Sequence, residues 1–260
     1  MIRNAVVLLV FSGLVLLNSG CKRETEKQIL ECGCFVQEFS VPSWYSDSIY
    51  YADNKISRID VYYRKTIEKN TQARFDYSDS EVKISVRDIL DGSPRDFIHY
   101  TLSYNQDLKI SQVDSNGGRV RANYFYEGDH LKYLLYSKAN KITDSIAVTF
   151  DPRGKNILSA LWYNFDQETK KYRLINTAAF HYDNKINPHQ NSVHFLYKFY
   201  DCKEYSLDYF NTNNFTAIQS SEVNIRADYT YNEFDYPVYV IYYDGTNQET
   251  DRDAINYDCR

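Results

Sequence analysis

The sequence predicts an all-β protein: an antiparallel up-and-down meander of repeated hairpins that closes, or nearly closes, as a barrel. Three observations support this fold class. The 260 residues include 26 tyrosines and 14 phenylalanines, one aromatic hairpin unit recurs along the chain, and the segments between units alternate apolar and polar side chains. Tyrosine and phenylalanine favour half-buried strands. No segment rich in proline, glycine or serine divides the repeats into two domains.

The aromatic unit combines alternating aromatic residues, a polar turn of Asp, Asn, Gly and Lys, and an aliphatic strand. Asp, Asn and Gly suit such turns because they tolerate a positive φ. Eight units predict about sixteen short strands. They are 50–56, 75–82, 104–110, 124–131, 150–155, 180–186, 209–215 and 229–237.

The strands between these turns have one apolar face and one polar face. Ile84 and Val86, for example, alternate with Lys83, Ser85 and Arg87. A meander of this length has two open edges, and curling until the first and last strands meet removes both. Closure into a barrel is therefore the predicted outcome. A curved open sheet and a four-bladed propeller are the alternatives.

The first twenty residues have the pattern of an export signal. Arg3 precedes an apolar run over residues 5–17, which is shorter than the roughly 20 residues of a membrane-spanning helix. The run ends in Leu-Asn-Ser-Gly before Cys21, which resembles the bacterial lipobox, where the signal is cut before the cysteine and the cysteine is acylated. The alternative is an ordinary secretory signal with a chance cysteine.

These features divide the chain into three parts. We expect a lipoprotein signal peptide over 1–20, a lipid anchor and tether over 21–40, and the hairpin-repeat β domain over 41–260. The expected location is the cell envelope, with the protein held at the outer membrane through acylated Cys21 and facing either the periplasm or the outside. The expected partners include the membrane, through this anchor.

Two units resemble a known family. Residues 180–188 (FHYDNKINP) and 229–237 (YTYNEFDYP) are similar to repeats of the YD-repeat-like lipoproteins of Gram-negative bacteria. That family is uncharacterised and has a porin-like β-barrel fold. The resemblance covers about residues 45–245. It implies a barrel and an envelope location, and it implies no activity.

Four cysteines remain after Cys21, and in an exported protein they are candidates for disulfides. They are Cys32, Cys34, Cys202 and Cys259. Cys32 and Cys34 are too close along an extended segment to favour a bond with each other. We therefore expect each to pair with a distant cysteine, which leaves two connectivities. A four-thiolate zinc site and free thiols are the alternatives.

Composition and motifs limit the function. With 30 basic against 35 acidic residues, the chain has no basic field for nucleic acid. It contains no Gly-x-Ser-x-Gly, no His-Glu-x-x-His and no phosphate-binding loop, so we expect no catalysis, no cofactor and no metal. Aromatic faces can stack on sugars. The candidate aromatic binding surface comprises Trp44, Tyr62, Tyr136, Trp162, Tyr163, Tyr239 and Tyr243.

The sequence thus predicts a non-catalytic binding module of the envelope, with a glycan or another envelope protein as its ligand. A structural or assembly component without a small-molecule site is the second hypothesis, and a hydrolase is the third. Binding predicts exposed aromatic residues grouped at one rim. Scaffolding predicts an extended apolar patch, and catalysis predicts convergent carboxylates in a pocket.

Overall fold

The structure is a computed structural model that describes residues 34–41, 45–63, 69–88, 95–115, 119–192 and 205–259. Within these ranges no helix is long and apolar enough to cross a membrane. The elements are β1 (Cys34–Val41), β2 (Tyr45–Ala52), β3 (Lys55–Tyr63), β4 (Lys69–Tyr77), β5 (Glu81–Asp88), β6 (Arg95–Tyr104), β7 (Ile110–Ser115), β8 (Val120–Glu127), β9 (His130–Lys138), β10 (Lys141–Phe150), β11 (Ile157–Asp166), β12 (Lys171–Ile186), a 3-10 helix η1 (Tyr205–Phe210), β13 (Asn213–Ser220), β14 (Asn224–Tyr231), β15 (Pro237–Asp244) and β16 (Glu249–Cys259).

The sixteen strands form one closed antiparallel barrel. Each strand pairs with its neighbours in sequence, and β1 pairs with β16 to close the ring. The predicted all-β meander and its closure are therefore confirmed. The sixteen strands form eight hairpins, two of which differ from the predicted units: β12 with β13, and β16 with β1.

Alternation along each strand places one face in the barrel interior. On β8, Ala122 and Tyr124 are buried, whereas Phe125 and Glu127 are exposed. Tyr124 lies opposite the fully buried Leu134 of β9. Buried residues of this kind form one apolar cluster that extends from β2 to β15. The interior of the barrel is thus a packed core.

Charged and polar side chains cover the outer face of β3 and β4. The Asp60 carboxylate lies 3.3 Å from the Arg58 Nε atom and accepts a 2.9 Å hydrogen bond from Gln72. Arg74 in turn donates to Gln72 over 2.9 Å. Asp60 and Gln72 are only 2% and 7% exposed, so this polar cluster is packed against the outer wall. It differs from the apolar band that a bilayer-spanning barrel has on its outside.

Turn chemistry explains the recurring aromatic–Asx dipeptides. At four turns the Asx side chain accepts hydrogen bonds from the backbone N–H groups two and four residues ahead. The third residue after each Asx has a positive φ. The four Asx residues are Asn105, Asp151, Asn232 and Asp244, and the positive-φ residues are Leu108, Gly154, Asp235 and Asn247.

The turns that join β2 to β3, β4 to β5 and so on lie at one rim of the barrel, which we call the turn rim. Adjacent hairpins separate toward this rim. Between β7 and β8, for example, pairing ends at Gln112 and Asn123, although both strands continue. Inward-facing tyrosines bridge these gaps and donate phenol hydrogen bonds of 2.8–3.0 Å to the preceding strand. The pairs are Tyr51 with the Val36 carbonyl, Tyr126 with Ile110, Tyr182 with Ile157, Tyr229 with Phe215 and Tyr257 with Pro237.

The connection between β12 and β13 fills the barrel at the turn rim. Leu207 and Tyr209 of η1 belong to the core cluster, and the Phe210 ring lies 5.8 Å from the Tyr124 ring of β8. Asn211 accepts a 2.8 Å hydrogen bond from the Ile157 backbone. We call residues 187–192 and 205–212 the cap. Because the cap occupies the interior, the barrel has a filled lumen at this rim.

The sixth and seventh predicted hairpin units are wrong as separate hairpins. Residues 180–186 are the end of β12, and residues 209–215 include the end of η1 and the start of β13. The two units therefore bound a single hairpin with a long connection. The eighth hairpin is the closing pair of β16 and β1, in which Cys259 lies opposite Cys34.

Several predicted features lie outside the described residues, namely the signal peptide, Cys21, Cys32, Trp44 and Cys202. The barrel starts at Cys34, within the stretch 21–40 that the sequence assigns to the anchor and tether. Cys34 is disulfide-bonded.

Candidate functional site

A cleft of about 250 Å³ opens at the turn rim between β1 and β2. We call it the rim cleft. Three aromatic rings, one aliphatic side chain, two carboxylates and two amides surround it. These residues are Phe35, Gln37, Ile49, Tyr50, Tyr51, Asp53, Asn54 and Asp258.

The rim cleft exists because β1 and β2 diverge. Their pairing extends from Val41 with Tyr45 only as far as Glu38 with Ser48. A register shift in the β1–β16 pairing leaves Gln37 as an extra residue, which bends the strand. The Tyr51 hydroxyl spans the gap to the Val36 carbonyl over 3.0 Å. Burial raises the pKa of Tyr51, so its phenol remains a hydrogen-bond donor.

Aromatic rings form the apolar part of the cleft. The Phe35 and Tyr51 rings meet edge to face, with centroids 5.0 Å apart. Tyr50 is 40% exposed, and the Arg58 guanidinium lies 3.9 Å from the centre of its ring. This cation–π contact holds the Tyr50 ring in place on the outer face.

Polar groups also line the same cleft. Asp53 and Asn54 form the β2–β3 turn, with φ of 50° and 60°, and both are exposed. Asp258 is opposite Phe35 in the closing pair of strands. Carboxylate and amide oxygens accept hydrogen bonds and amide nitrogens donate them. Rings beside a few such groups are the composition of sites that bind small polar ligands.

A second group of polar residues is enclosed where the cap meets the barrel wall. His189 Nδ1 lies 2.6 Å from the Asp208 carboxylate, which also accepts a 3.1 Å hydrogen bond from Asn187. Nearby, Tyr242 donates to Asp253 over 2.7 Å. Burial raises the pKa of Asp253 to about 6. The Tyr231 hydroxyl is hydrogen-bonded to Asp183 in the same region of the barrel.

The cavity beside this buried group is too small for a substrate. Its volume is about 10 Å³, and Phe39, Pro188, Phe215 and Val240 are among its walls. That volume suits a single water molecule. Carboxylates therefore converge in the barrel, but in a closed space. Among the described residues there is also no group of three or more His, Cys, Asp or Glu placed to hold a metal ion.

The candidate aromatic residues occupy different places. Tyr136 and Trp162 are buried in the interior, at 2% and 7% exposure. Four others are partly exposed, and Trp44 is outside the described ranges. Tyr243 packs beneath the Arg226 guanidinium at 4.4 Å. The structure therefore does not bring the set together as one surface. The partly exposed four are Tyr62, Tyr163, Tyr239 and Tyr243.

None of the rim-cleft residues was among the sequence candidates. The signal was present in two places, since Tyr50 and Tyr51 precede the Asp53–Asn54 turn and Asp258 follows Tyr257. Joining these two stretches requires the β16–β1 closure and the divergence of β1 from β2. Neither the register nor the divergence can be obtained from residue patterns alone.

Comparison with solved structures places this barrel beside a porin-like protein from Bacteroides uniformis. The TM-score is 0.58 at 9% sequence identity, over 86% of this chain and 98% of that chain. The fold is porin-like. A porin-like protein from Bacteroides vulgatus has a TM-score of 0.49 at 12% identity, over 87% of this chain and 99% of its own. No protein-family model and no curated protein matches the sequence.

This porin-like barrel differs from a water-filled channel in what occupies its interior. Leu207 is 1% exposed inside it, and Tyr209 packs with the same core. Porins have a polar, solvated lumen and an apolar outer band. Here the interior has an apolar and aromatic cluster beside one enclosed polar group, and the outer side of β3 has an Arg58–Asp60 ion pair. Of the two cavities described among these residues, the rim cleft is thus the one large enough for a ligand.

Proposed function

We propose that this protein is an exported, lipid-anchored envelope protein that binds a small saccharide in the rim cleft without catalysing its conversion. The observation that carries the proposal is the composition of the cleft. Phe35, Tyr50 and Tyr51 supply rings for the apolar face of a pyranose, while Asp53 and Asp258 supply acceptors for its hydroxyls. The volume of about 250 Å³ suits one or two sugar units.

The envelope location rests on the sequence. The apolar run over residues 5–17 and the lipobox-like residues before Cys21 support export and acylation. The strand β1 begins at Cys34 on the turn rim, so a tether over 21–33 would lead from the anchor to the rim that holds the cleft. Such a tether reaches at most about 45 Å. Metabolic labelling with a radioactive fatty acid tests the anchor, and Cys21→Ser should abolish the label.

Binding without catalysis is favoured by the position of the carboxylates. His189 and Asp208 of the cap and Asp253 of β16 line a cavity of about 10 Å³, where no sugar fits. Of the two rim-cleft carboxylates, Asp53 is exposed and Asp258 is half-buried. An assembly component without a small-molecule site is the alternative, and it predicts that the cleft binds no sugar.

The decisive test is a glycan array followed by calorimetry on the chain from residue 28, which contains every described strand. We expect retention of a small saccharide at a single site. Tyr50→Ala and Asp258→Asn should each weaken binding by about tenfold or more, since each removes a stacking or hydrogen-bonding group. Tyr133→Ala, on the outer face of β9, is the matched control. Retention of no sugar would contradict the proposal.

A further inference from the structure

The first half of β12 forms an edge of the described sheet. β12 pairs with β11 from Lys171 onward, whereas its pairing with β13 begins only at Ala178. Among the described strands, residues 171–177 therefore have β11 as their single neighbour, and the Thr177 N–H donates to the Asn176 side chain. Beside them the chain turns from β13 into β14, and Ser221 donates a 2.9 Å hydrogen bond to the Asn176 side chain. We call residues 171–177 the β12 edge.

The β12 edge has two faces of different chemistry. Tyr172 and Leu174 point to the same side as their cross-strand partners Phe165 and Tyr163. Tyr172 is 45% exposed and Leu174 is 49% exposed. The alternate positions, Lys171 and Arg173, are exposed cations.

This edge is preformed. The Asp166 carboxylate accepts hydrogen bonds from the Glu168 and Thr169 backbones at 2.8 and 3.1 Å, which fixes the turn between β11 and β12. The Tyr172 ring packs 4.9 Å from Phe165 and 6.5 Å from Tyr163. From Lys171 to Leu174, ahead of the register shift at Ile175, an added strand would find its template already extended, so little ordering would oppose binding.

We propose that the β12 edge binds an extended segment of another protein, added as a strand, in which apolar residues alternate with acidic ones. Unpaired backbone groups of an edge strand supply the hydrogen bonds of such an addition, and alternating side chains supply its specificity. Apolar side chains of the partner would pack beside Tyr172 and Leu174. Its carboxylates would lie beside Lys171 and Arg173. These two cations are close together in a chain whose net charge is −5.

Two registers in which a second copy of this chain could pair with the same edge are disfavoured. Antiparallel self-pairing about Tyr172 sets Lys171 opposite Arg173, and pairing about Arg173 sets that residue opposite itself. Like charges directly opposite each other destabilise a strand pair. The cations thus act against self-association and favour an acidic partner.

The test uses labelled seven-residue peptides and fluorescence anisotropy with the whole barrel. A peptide that alternates valine and glutamate should bind, whereas one that alternates valine and lysine should not. A third peptide, with valine and glutamate but N-methylated at its three central residues, should lose binding because it cannot complete the backbone hydrogen bonds.

Two double variants test the charge dependence. Lys171→Glu with Arg173→Glu should weaken binding of the glutamate peptide by about tenfold or more and allow the lysine peptide to bind. Lys83→Glu with Lys132→Glu is the control. It changes the net charge equally, but on β5 and β9, which are paired on both sides, and it should leave binding within about twofold.

Three results would overturn the proposal. Failure of the glutamate peptide to bind would remove it directly. Equal binding of the N-methylated peptide would mean surface adsorption in place of strand addition. Retention on vesicles of anionic lipid, lost in the Lys171→Glu and Arg173→Glu double variant and without peptide binding, would make the β12 edge a membrane contact.

Discussion

Cys34 and Cys259 lie opposite each other at the turn rim, in the pair of strands that closes the barrel. Six of the other hairpins have a short turn at this level. Cys34 is disulfide-bonded, and we expect its register partner Cys259 to be the other half. The covalent link would stand where a turn joins the strands of those six hairpins.

Reduction or Cys34→Ala should lower the free energy of unfolding by about 2–5 kcal/mol, because the closed loop restricts the unfolded chain. Urea denaturation with and without reductant measures the loss. Mass mapping of unreduced peptides checks the pairing, and a fragment joining Cys34 to Cys202 would contradict it.

The bridging tyrosines should each contribute about 1 kcal/mol through the phenol. Tyr126→Phe removes the 2.8 Å bond to the Ile110 carbonyl and leaves that acceptor without its donor. Chemical denaturation should show the loss with no change of fold. Tyr104→Phe is the matched control. β5 and β6 are paired along their whole length, from Glu81 opposite Ser103 to Asp88 opposite Arg95, so no gap between them needs a bridging phenol. An equal loss in both variants would remove the bridging role.

Leu108 is at the position where the other Asx turns have Gly154, Asp235 and Asn247, and its φ is 59°. It is also 73% exposed, so little packing opposes its replacement. Leu108→Asn should therefore stabilise the barrel by about 0.5–1 kcal/mol, because asparagine tolerates this conformation better. Thermal denaturation measures the change, and a lower melting temperature would contradict the argument.

Gly154→Ala provides the opposite test. The φ of Gly154 is +67°, and an added Cβ would approach His130 Cε1 to 2.0 Å. We expect a loss of about 2 kcal/mol, from the backbone conformation and the displaced ring together. Gly128→Ala is the matched control, since its φ is +60° with nothing within 4 Å of the added atom. Calorimetric melting should show a larger loss at Gly154 than at Gly128.

Stability should fall between about pH 4 and pH 6 as Asp253 loses its proton. Burial raises its pKa from 3.8 to about 6, so the folded protein holds this proton more tightly than the unfolded chain does. The contribution is present below the unfolded value and is lost as pH rises through the folded value, by at most about 3 kcal/mol. Asp253→Asn should reduce the change in the free energy of unfolding between pH 4 and pH 6, measured by urea denaturation. Asp76→Asn, which removes an exposed carboxylate, should leave that change unaltered.

The local rules of the fold were accessible from the sequence. Alternation predicted the buried face of strands such as β5, and aromatic–Asx dipeptides marked turns such as those after Tyr104 and Tyr231. The recurrence of tyrosine was visible in the sequence, but the hydrogen bonds of the phenols were not. Whether a phenol reaches the carbonyl of the preceding strand depends on how far neighbouring hairpins diverge.

The cap and the cleft depend on long-range packing. The pattern around Phe210 resembles a turn, yet its ring packs 5.8 Å from Tyr124 because the connection is long enough to enter the barrel. The rim cleft needs Phe35, Tyr51 and Asp258 at one point, which only closure provides. Such contacts between distant parts of a chain leave no local periodicity.

The closing pair has a further consequence, because it has the geometry of an ordinary hairpin. The ring of strands therefore does not require the chain to begin at β1 and end at β16. A circularly permuted protein, with a two-residue link from residue 259 to residue 34 and new ends opened at Asp53 and Asn54, keeps every strand neighbour in the observed order. In such a molecule the two-residue link would join the closing pair covalently without a disulfide.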